Sequence, residues 1–414
     1  MGREKQQLKR YPLDNSALFY PIMATKKAQS LFRITVRLKD EVDGTLLEEA
    51  LNKVLFRFPT YKTRLKKGYA WHYLEENTER ALVFKGLGPM LCPIDTKGTN
   101  GYLFRVVYEG KTIYFEVFHG LCDGVGATIF VKGLLETYRN MQGFALRKCG
   151  VDLSAEPTEN EIEDAFKHYY EPIKFSDVQL KELTGATPQL IDGTINPDGY
   201  TSDSMMTAYT DVNRIAKEMG VTFTAFTAGL VAYTLSKMNF GKLPVVVMVP
   251  VNLRTVFPSN NVRNFVTFVR LTFKRGECNT IEEFVSSASA QLKLKTEKSK
   301  LNQMLATTVR TEKTGLLKIA PLWLKIAVAK TVRHFLKSRQ TIIVSNIGKF
   351  DVPEEMGVEW ASLNINVSKN AKVNLGILST KGNVTFSFTK SIVESSVADH
   401  FFTTLKGLGV NPIN

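Results

Sequence analysis

The sequence has few cysteines and no long hydrophobic run. Its four cysteines, at positions 92, 122, 149 and 278 of 414 residues, are too few and too scattered for a disulfide framework or a paired zinc motif. A run such as Val245–Val251 covers seven residues, whereas a membrane-spanning helix needs ~20. The charged start of the chain is not followed by the apolar core of a signal peptide. We therefore expect a cytoplasmic protein without a metal site.

Three common catalytic signatures are also missing. The chain contains no Gly-x-Ser-x-Gly elbow, no Walker loop and no dinucleotide-binding glycine fingerprint. These absences argue against an α/β-hydrolase, a P-loop nucleotidase and a Rossmann dehydrogenase. Hydrophobic residues make up 44% and charged residues 23% of the chain. Both values are near the globular average, which excludes disordered and fibrous classes.

The positive charge is unevenly distributed. The net charge is +14, and the window Gln291–Gln340 holds 12 basic and 2 acidic residues. The opposite bias appears in Val151–Asp164, which has six acidic residues and no basic one. Such asymmetry suggests a phosphorylated cofactor, an acidic carrier protein or a lipid surface as partner. The simpler interpretation of such a charged stretch is a helical face that is exposed to solvent. No nucleic-acid partner is expected, because no basic run is interleaved with stacking aromatics.

Hydrophobic periodicity predicts an α/β protein in two halves. Leu31–Leu38 alternates as a half-buried strand does, and two further strands near 103–118 are joined by a glycine-bearing turn. A turn-rich stretch predicts the division, which gives residues 1–180, a linker at 181–204, and residues 205–414. In the second half we predict strands near 205–210, 244–251, 265–273, 341–345, 363–367, 373–378 and 384–388, and helices near 212–219, 223–238, 281–295, 321–336 and 396–405. Mixed strands in both halves predict two mixed-sheet sandwiches.

The strongest chemical signal is the run from Phe118 to Gly124, between a predicted strand and a predicted helix. A loop there exposes His119 on a rigid frame, and histidine is the side chain whose pKa suits proton transfer near neutrality. Asp123 could pair with an arginine and fix the loop. Cys122 lies too close to His119 along the chain to be its nucleophile, so a packing role is expected. A histidine in a plain Asp-Gly turn is the alternative.

His119-x-x-x-Asp123-Gly124 resembles the signature of the chloramphenicol-acetyltransferase-like superfamily, which includes CoA-dependent acyltransferases and the condensation domains of peptide synthetases. Supporting segments agree in order, namely Phe58-Pro59 with Arg64-Leu65, Val249–Arg254 followed by Asn264-Phe265, and Val344–Gly348. The opening Tyr11-Pro12-Leu13-Asp14 is most similar to bacterial stand-alone alcohol acetyltransferases. Two features differ from other branches: Phe118 replaces the second histidine of condensation domains, and the plant-type Asp-Phe-Gly-Trp-Gly is missing.

The resemblance implies a fold and a mechanism. The fold would be two chloramphenicol-acetyltransferase-like sandwich subdomains with an active-site tunnel between them. In the catalytic motif His119, Asp123 and Gly124, the histidine would be the general base and the aspartate would form a structural salt bridge with Arg254. Gly124 would keep the channel open to a pantetheine arm, with a plain helix-start glycine as the alternative. Ser345 and Asn346 would bind the oxyanion or substrate, with a strand-capping turn as the alternative.

The implied function is acyl transfer from acyl-CoA, a cosubstrate and not a bound cofactor, to a small alcohol or amine without a covalent acyl-enzyme. One alternative is a stand-alone condensation enzyme that uses thioesters on an acyl carrier protein, and another is a non-catalytic binding member of the fold. The apolar, cationic stretch from Pro321 to Lys337 would also suit peripheral contact with the inner membrane surface, and a core-packed helix is the simpler interpretation. We expect a monomer.

Overall fold

The computed structural model describes residues 7–413, except 26–28, 145, 147–149, 174–186, 239–240, 314, 336–338 and 369–370. The strands are β1 (Arg10–Pro12), β2 (Leu31–Leu38), β3 (Thr63–Lys67), β4 (His72–Glu76), β5 (Val83–Lys85), β6 (Phe104–Glu109), β7 (Thr112–Phe118), β8 (Thr201–Ala208), β9 (Val245–Asn252), β10 (Val266–Phe273), β11 (Ile342–Lys349), β12 (Val358–Ile365), β13 (Val373–Thr380) and β14 (Asn383–Lys390). Cys92, Cys122 and Cys278 are free thiols.

The described helices lie before, between and after these strands. They are α1 (Phe19–Met23), α2 (Gly44–Val54), α3 (Gly124–Met141), α4 (Glu159–Ile162), α5 (Ala165–His168), α6 (Tyr209–Glu218), α7 (Phe223–Lys237), α8 (Ile281–Lys295), α9 (Lys298–Lys313), α10 (Gly315–Ile319), α11 (Leu322–Phe335) and α12 (Ser396–Gly407). Asp43 caps α2 by accepting a hydrogen bond from the amide of Leu46 at 3.0 Å, as a cap residue does. Within the described ranges no single helix is long and apolar enough to cross a membrane; α6 and α7, bent by 85°, pass that test together by length and composition only.

Two mixed sheets carry the two main hydrophobic cores. One sheet has five strands in the order β12-β2-β7-β6-β5, and the other has six in the order β10-β9-β11-β13-β14-β8. β1, β4 and β3 form a smaller antiparallel sheet. Helices α2 and α3 pack with the five-stranded sheet, while α7, α8 and α12 pack with the six-stranded sheet. The mixed α/β organisation predicted for each half is present.

Strand β12 joins the two halves. It follows the predicted linker by more than 150 residues, yet it pairs antiparallel with β2 from Phe32 to Leu38. The chain then enters β13 of the other sheet, and the two strands approach so closely that a Cβ at Gly376 would lie 2.1 Å from the carbonyl oxygen of Leu363. The division at 181–204 stays a prediction, since β12 crosses it and residues 181–186 lie outside the described ranges.

Helix α9 is not predicted by the sequence pattern, which indicates no element between 295 and 321. Its buried side chains Leu301, Leu305 and Val309 recur every four residues, a helical spacing. The many lysines in this part of the sequence make it look like a charged surface segment, so the apolar spacing is easily overlooked. In the first half, the capping-box pattern from Thr158 to Glu161 predicts one helix through Tyr170. This prediction is wrong, because the chain forms two short helices there, α4 and α5.

The amino-terminal segment joins both halves through buried charged groups. The amide of Asn15 donates to Asp164 at 3.0 Å, and the Asn15 side chain donates to Glu312 on α9 at 2.7 Å. Burial, reinforced by the negative charge of Asp14, raises the pKa of Asp164 to about 6. A carboxyl group with a raised pKa in the folded state binds its proton more tightly there than in the unfolded chain.

Stability should therefore fall as the pH rises through the pKa of Asp164. The stabilisation that Asp164 gives when protonated is complete at a pH below 3.8, the ordinary pKa of aspartate, and is lost at a pH above about 6. Relative to Asp164→Asn, the wild type should lose up to about 3 kcal/mol of unfolding free energy between those values. Urea unfolding of both proteins across this range tests it. Parallel pH profiles for the two proteins would contradict the assignment.

Candidate functional site

A cavity of about 400 Å³ lies between the two halves and brings the predicted site residues together. His119, Asp123 and Gly124 line it from the first half, and Ser345 and Asn346 line it from the second. The other lining residues are mainly apolar: Tyr20, Ser30, Leu31, Phe32, Val125, Pro250, Asn252, Val266, Phe268, Ile343, Ile347, Gly348, Leu363, Ile365 and Asn366. Arg254 lies behind Asp123 and does not line the cavity. Over the described part of the chain, no group of three or more His, Cys, Asp or Glu could hold a metal ion.

The cavity opens where two strands separate. β11 runs parallel to β9 but pairs with it only at Ile342 and Ile343. Beyond those residues Pro250 and Asn252 on β9, and Ser345 on β11, face the cavity. The separation of the two strands leaves Asn252 and Ser345 in the wall of a mainly apolar cavity, and small-molecule sites usually combine an apolar lining with a few polar groups.

His119 follows β7 directly and is held between aromatic rings. Its amide donates to the carbonyl of Ser30 at 2.8 Å. The ring stacks on Tyr20 with centroids 4.7 Å apart and meets the edge of Phe32 at 5.2 Å. The imidazole therefore has one fixed orientation in the cavity wall.

Asn264 selects the tautomer of His119. The Asn264 amide nitrogen donates to Asp14 at 3.2 Å, so its Oδ1 faces Nδ1 of His119, 3.0 Å away. Asp14 is a buried carboxylate that also accepts a hydrogen bond from the backbone amide of Ala17 at 2.9 Å. Because Asp14 can only accept, the side-chain nitrogen of Asn264 must face Asp14 and its oxygen must face His119. Nδ1 must then carry the proton, which leaves Nε2 as the basic nitrogen.

Burial lowers the pKa of His119 below the ordinary histidine value of 6.5, and the hydrogen bond to Asn264 and the charges of Asp123 and Asp14 offset this only in part. A histidine with a lowered pKa is neutral at pH 7, which is the form that a general base requires. The fixed orientation of His119 and its lowered pKa both suit removal of a proton by Nε2.

Replacing Asn264 with leucine is expected to lower kcat/KM about tenfold, because one hydrogen bond that orients the base is lost. The same hydrogen bond raises the pKa of His119, so the acid limb of the pH profile should move to lower pH in the variant. The pH dependence of kcat/KM for wild type and Asn264→Leu measures both effects. An acid limb at an unchanged pH would mean that Asn264 has only a packing role.

Asp123 and Arg254 form a buried ion pair across the two halves. Arg254 Nη1 lies 2.7 Å from Asp123 Oδ2, and the same oxygen accepts from the amide of Phe265 at 2.8 Å. Asp123 Oδ1 caps α3 by accepting from the amide of Gly126 at 3.0 Å. Arg254 also donates to the carbonyl of Arg263 at 2.8 Å. Both oxygens of Asp123 are thus used to fix the loop, the cap and the contact between the halves.

Gly124 is the first residue of α3 and has an ordinary negative φ, so a positive φ does not explain it. A Cβ at this position would lie 2.5 Å from Cγ2 of Ile347 on β11. At Gly126 an added Cβ would lie 2.1 Å from the carbonyl oxygen of Val262. The two glycines therefore let the start of α3 approach the second half closely. The predicted role of Gly124 toward a pantetheine arm stays a prediction.

Ser345 and Asn346 differ in how their side chains are used. The Asn346 amide donates to the hydroxyl of Thr224 at 3.2 Å, and its oxygen accepts from the amide of Gly348 at 3.0 Å. These two hydrogen bonds hold the irregular part of β11 between Asn346 and Lys349. The predicted role of Asn346 toward an oxyanion or substrate stays a prediction. Ser345 also lines the cavity, and its predicted role toward the oxyanion or substrate stays a prediction.

Cys122 is fully buried, and burial raises the pKa of its thiol well above the ordinary value. Since the thiolate is the nucleophilic form of cysteine, this side chain is suited to packing and not to attack on a substrate. The geometry agrees with the packing role expected from the sequence.

Comparison with known proteins gives similarity in structure only. No family model and no curated protein sequence matches the chain. Among solved structures, Fusarium sporotrichioides TRI101 complexed with coenzyme A and T-2 matches with a TM-score of 0.63 at 12% identity, over 98% of this chain and 100% of that one. The first condensation domain of the CDA synthetase matches with a TM-score of 0.63 at 13% identity, over 98% and 99%. Polyketide synthase associated protein 5 from Mycobacterium tuberculosis matches with a TM-score of 0.61 at 13% identity, over 98% of each chain.

These similarities confirm the predicted fold class. The chain has the two-subdomain fold of condensation domains and chloramphenicol-acetyltransferase-like acyltransferases along nearly its whole length. The particular resemblance to bacterial alcohol acetyltransferases stays a prediction.

Sequence reasoning missed three residues that shape the site: Tyr20, Asp14 and the role of Asn264. Asp14 belongs to the opening Tyr-Pro-Leu-Asp segment, and Asn264 stands in the Asn-Phe segment, so both lay within motifs already noticed. Nothing in those motifs shows that the two residues meet at His119, 250 residues apart from each other in sequence. Tyr20 had no signal of its own.

Proposed function

We propose that the protein is an acyltransferase that moves an acyl group from a thioester to a hydroxyl or amine acceptor in the cavity, with His119 as general base. The observation that carries the proposal is the oriented His119, whose Nδ1 is held by Asn264, in a cavity lined by residues of both halves. The fold is shared with TRI101, whose structure contains coenzyme A, and this similarity supports a thioester donor. Acyl-CoA is the favoured donor and an alcohol the favoured acceptor.

In the proposed reaction His119 Nε2 removes the proton from the acceptor as its oxygen or nitrogen attacks the thioester carbonyl. The new C–O or C–N bond forms while the carbonyl oxygen becomes an oxyanion, which the Ser345 hydroxyl would stabilise. Collapse of this intermediate breaks the C–S bond, and the imidazolium returns its proton to the leaving thiolate. General-base catalysis supplies typically ~10²–10⁴-fold, so positioning of both substrates must supply much of the remainder.

The mechanism needs no residue of the chain to be acylated. Cys122 is buried with a raised thiol pKa, and both carboxylate oxygens of Asp123 are used in hydrogen bonds and the ion pair. A direct transfer from donor to acceptor is therefore the step that these side chains favour.

The test is thiol release from a panel of acyl-CoAs, with and without mixed alcohols and amines, followed by mass identification of the acylated product. Release that depends on the acceptor supports the proposal. His119→Ala is the control, since a contaminating thioesterase would act equally in both preparations. A folded protein that turns over no acyl-CoA, but acts on the same acyl group attached to a carrier protein, would favour the condensation alternative. No turnover of either donor would favour a binding role.

A further inference from the structure

Helix α11 has its apolar face outward. Trp323, Leu324 and Val328 are exposed on one side, with Trp323 69% exposed. On the other side Leu322 and Lys325 are buried, and Lys325 Nζ donates to the carbonyl of Ala70 at 2.6 Å. A surface helix of a globular protein normally shows the reverse arrangement, with apolar residues inward. The core-packed helix with outward lysines that the sequence suggested is therefore wrong for this part of α11.

The outward face of α11 belongs to a larger surface built from three parts of the chain. The amide of Leu322 donates to the carbonyl of Tyr69 at 2.7 Å, and Lys325 lies 3.5 Å from the ring centroid of Trp71. The Trp71 ring in turn meets Phe19 of α1 at 5.9 Å. We call the exposed side chains of these segments the apolar patch; they are Phe19, Tyr69, Ile319, Trp323, Leu324 and Val328.

Exposed lysines lie beside the apolar patch. Residues 313–340 contain seven lysines and arginines and no acidic residue. The side chains of Lys67 and Lys318, next to Tyr69 and Ile319, are exposed. Exposed tryptophan and aliphatic side chains with lysines beside them are the composition of a surface that rests on an anionic bilayer.

The apolar patch also lies next to the cavity. Phe19 is part of the apolar patch, and the next residue, Tyr20, lines the cavity and stacks on His119. One turn of α1 thus joins the exposed surface to the candidate site. A lipid bilayer held against the patch would bring lipophilic molecules close to this wall of the cavity.

We propose that the apolar patch docks the protein on the surface of an anionic lipid bilayer. Trp323, Leu324 and Val328 insert among the lipids, while the exposed Lys67 and Lys318 contact acidic headgroups. The charge favours a bilayer over a second copy of this chain, because two like-charged surfaces would repel one another. Docking is a binding property and is independent of the proposed acyl transfer.

The test is flotation of the full chain with vesicles of phosphatidylcholine in which phosphatidylglycerol is about a third of the lipid. We expect wild type to float with these vesicles and to bind pure phosphatidylcholine more weakly. Trp323→Glu/Val328→Glu should reduce the bound fraction at least about tenfold, since it places charge in the apolar region. Binding at about 1 M NaCl should fall but persist in part, because salt screens only the electrostatic contribution.

The matched control is Phe56→Glu. Phe56 is 70% exposed and aromatic, as Trp323 is, but it follows α2 and lies outside the apolar patch. It should float as wild type does. Equal flotation of wild type and the double variant, or no flotation of wild type, would overturn the proposal. So would a wild-type dimer that Trp323→Glu/Val328→Glu converts to a monomer without any change in vesicle binding, since the patch would then bind a second copy.

Discussion

Replacing His119 with alanine is expected to lower kcat by about 10²–10⁴-fold while the protein stays folded. The loss follows from removal of the only imidazole in the described cavity wall, whose Nε2 is the basic nitrogen once Asn264 accepts from Nδ1. Donor KM should change less than kcat, because the base acts on the acceptor proton in the transition state. Steady-state kinetics with the best donor and acceptor from the panel measure both constants.

The control for this prediction is His72→Ala. His72 is also a mostly buried histidine, but it lies in β4 of the three-stranded sheet and does not line the cavity. Its replacement should cost stability and leave kcat almost unchanged. If His119→Ala kept a kcat within about threefold of wild type, general-base catalysis by this residue would be excluded, because such a base supplies far more than that.

The pH dependence gives a second check on His119. Because burial lowers its pKa, the fraction of neutral imidazole stays high well below neutrality. The acid limb of kcat/KM should therefore lie below the ordinary histidine value of 6.5. A limb above that value would mean that a different group is being titrated.

Local sequence patterns predict much of this fold because the physics that they report is local. The alternation in Leu31–Leu38 predicts a strand there, which is present, but seven of its eight residues are buried, so the half-buried arrangement predicted for it is wrong. Asp43 marks the start of α2 because its side chain accepts a hydrogen bond from the amide of Leu46. His119 stands out in the same way, because it lies at a junction of strand and helix with Gly120 and Gly124 in the same loop. These features require only neighbouring residues.

Long-range features could not be predicted from the same patterns. β12 looks like any other strand, and nothing in it shows that it pairs with β2 rather than with a strand of its own half. The contact of Asp14 with Asn264 joins residues that are 250 positions apart in the sequence. The outward apolar face of α11 reverses the usual rule, so its periodicity alone gives the wrong buried side.

The second large effect is expected at the ion pair of Asp123 and Arg254. Asp123→Ala should lower the free energy of unfolding by about 3–5 kcal/mol, because Arg254 would remain buried without its partner. The variant also removes the cap of α3 and the acceptor of the Phe265 amide. Urea unfolding of wild type and variant measures the loss. The exposed ion pair of Arg214 and Glu218 provides the control. Glu218→Ala should lower the free energy of unfolding by at most about 0.5 kcal/mol.

Asp123→Asn separates folding from chemistry at this position. Asparagine keeps one acceptor oxygen and nearly the same shape, so it should cost less stability than alanine and retain more activity. Replacing both partners, as Asp123→Leu/Arg254→Met, should recover part of the stability lost in Asp123→Ala, since no buried charge remains unpaired. If Asp123→Asn unfolded as wild type does but lost as much activity as His119→Ala, the carboxylate would have to take part in the reaction itself. The two hydrogen bonds and the ion pair that already occupy its oxygens favour the opposite result.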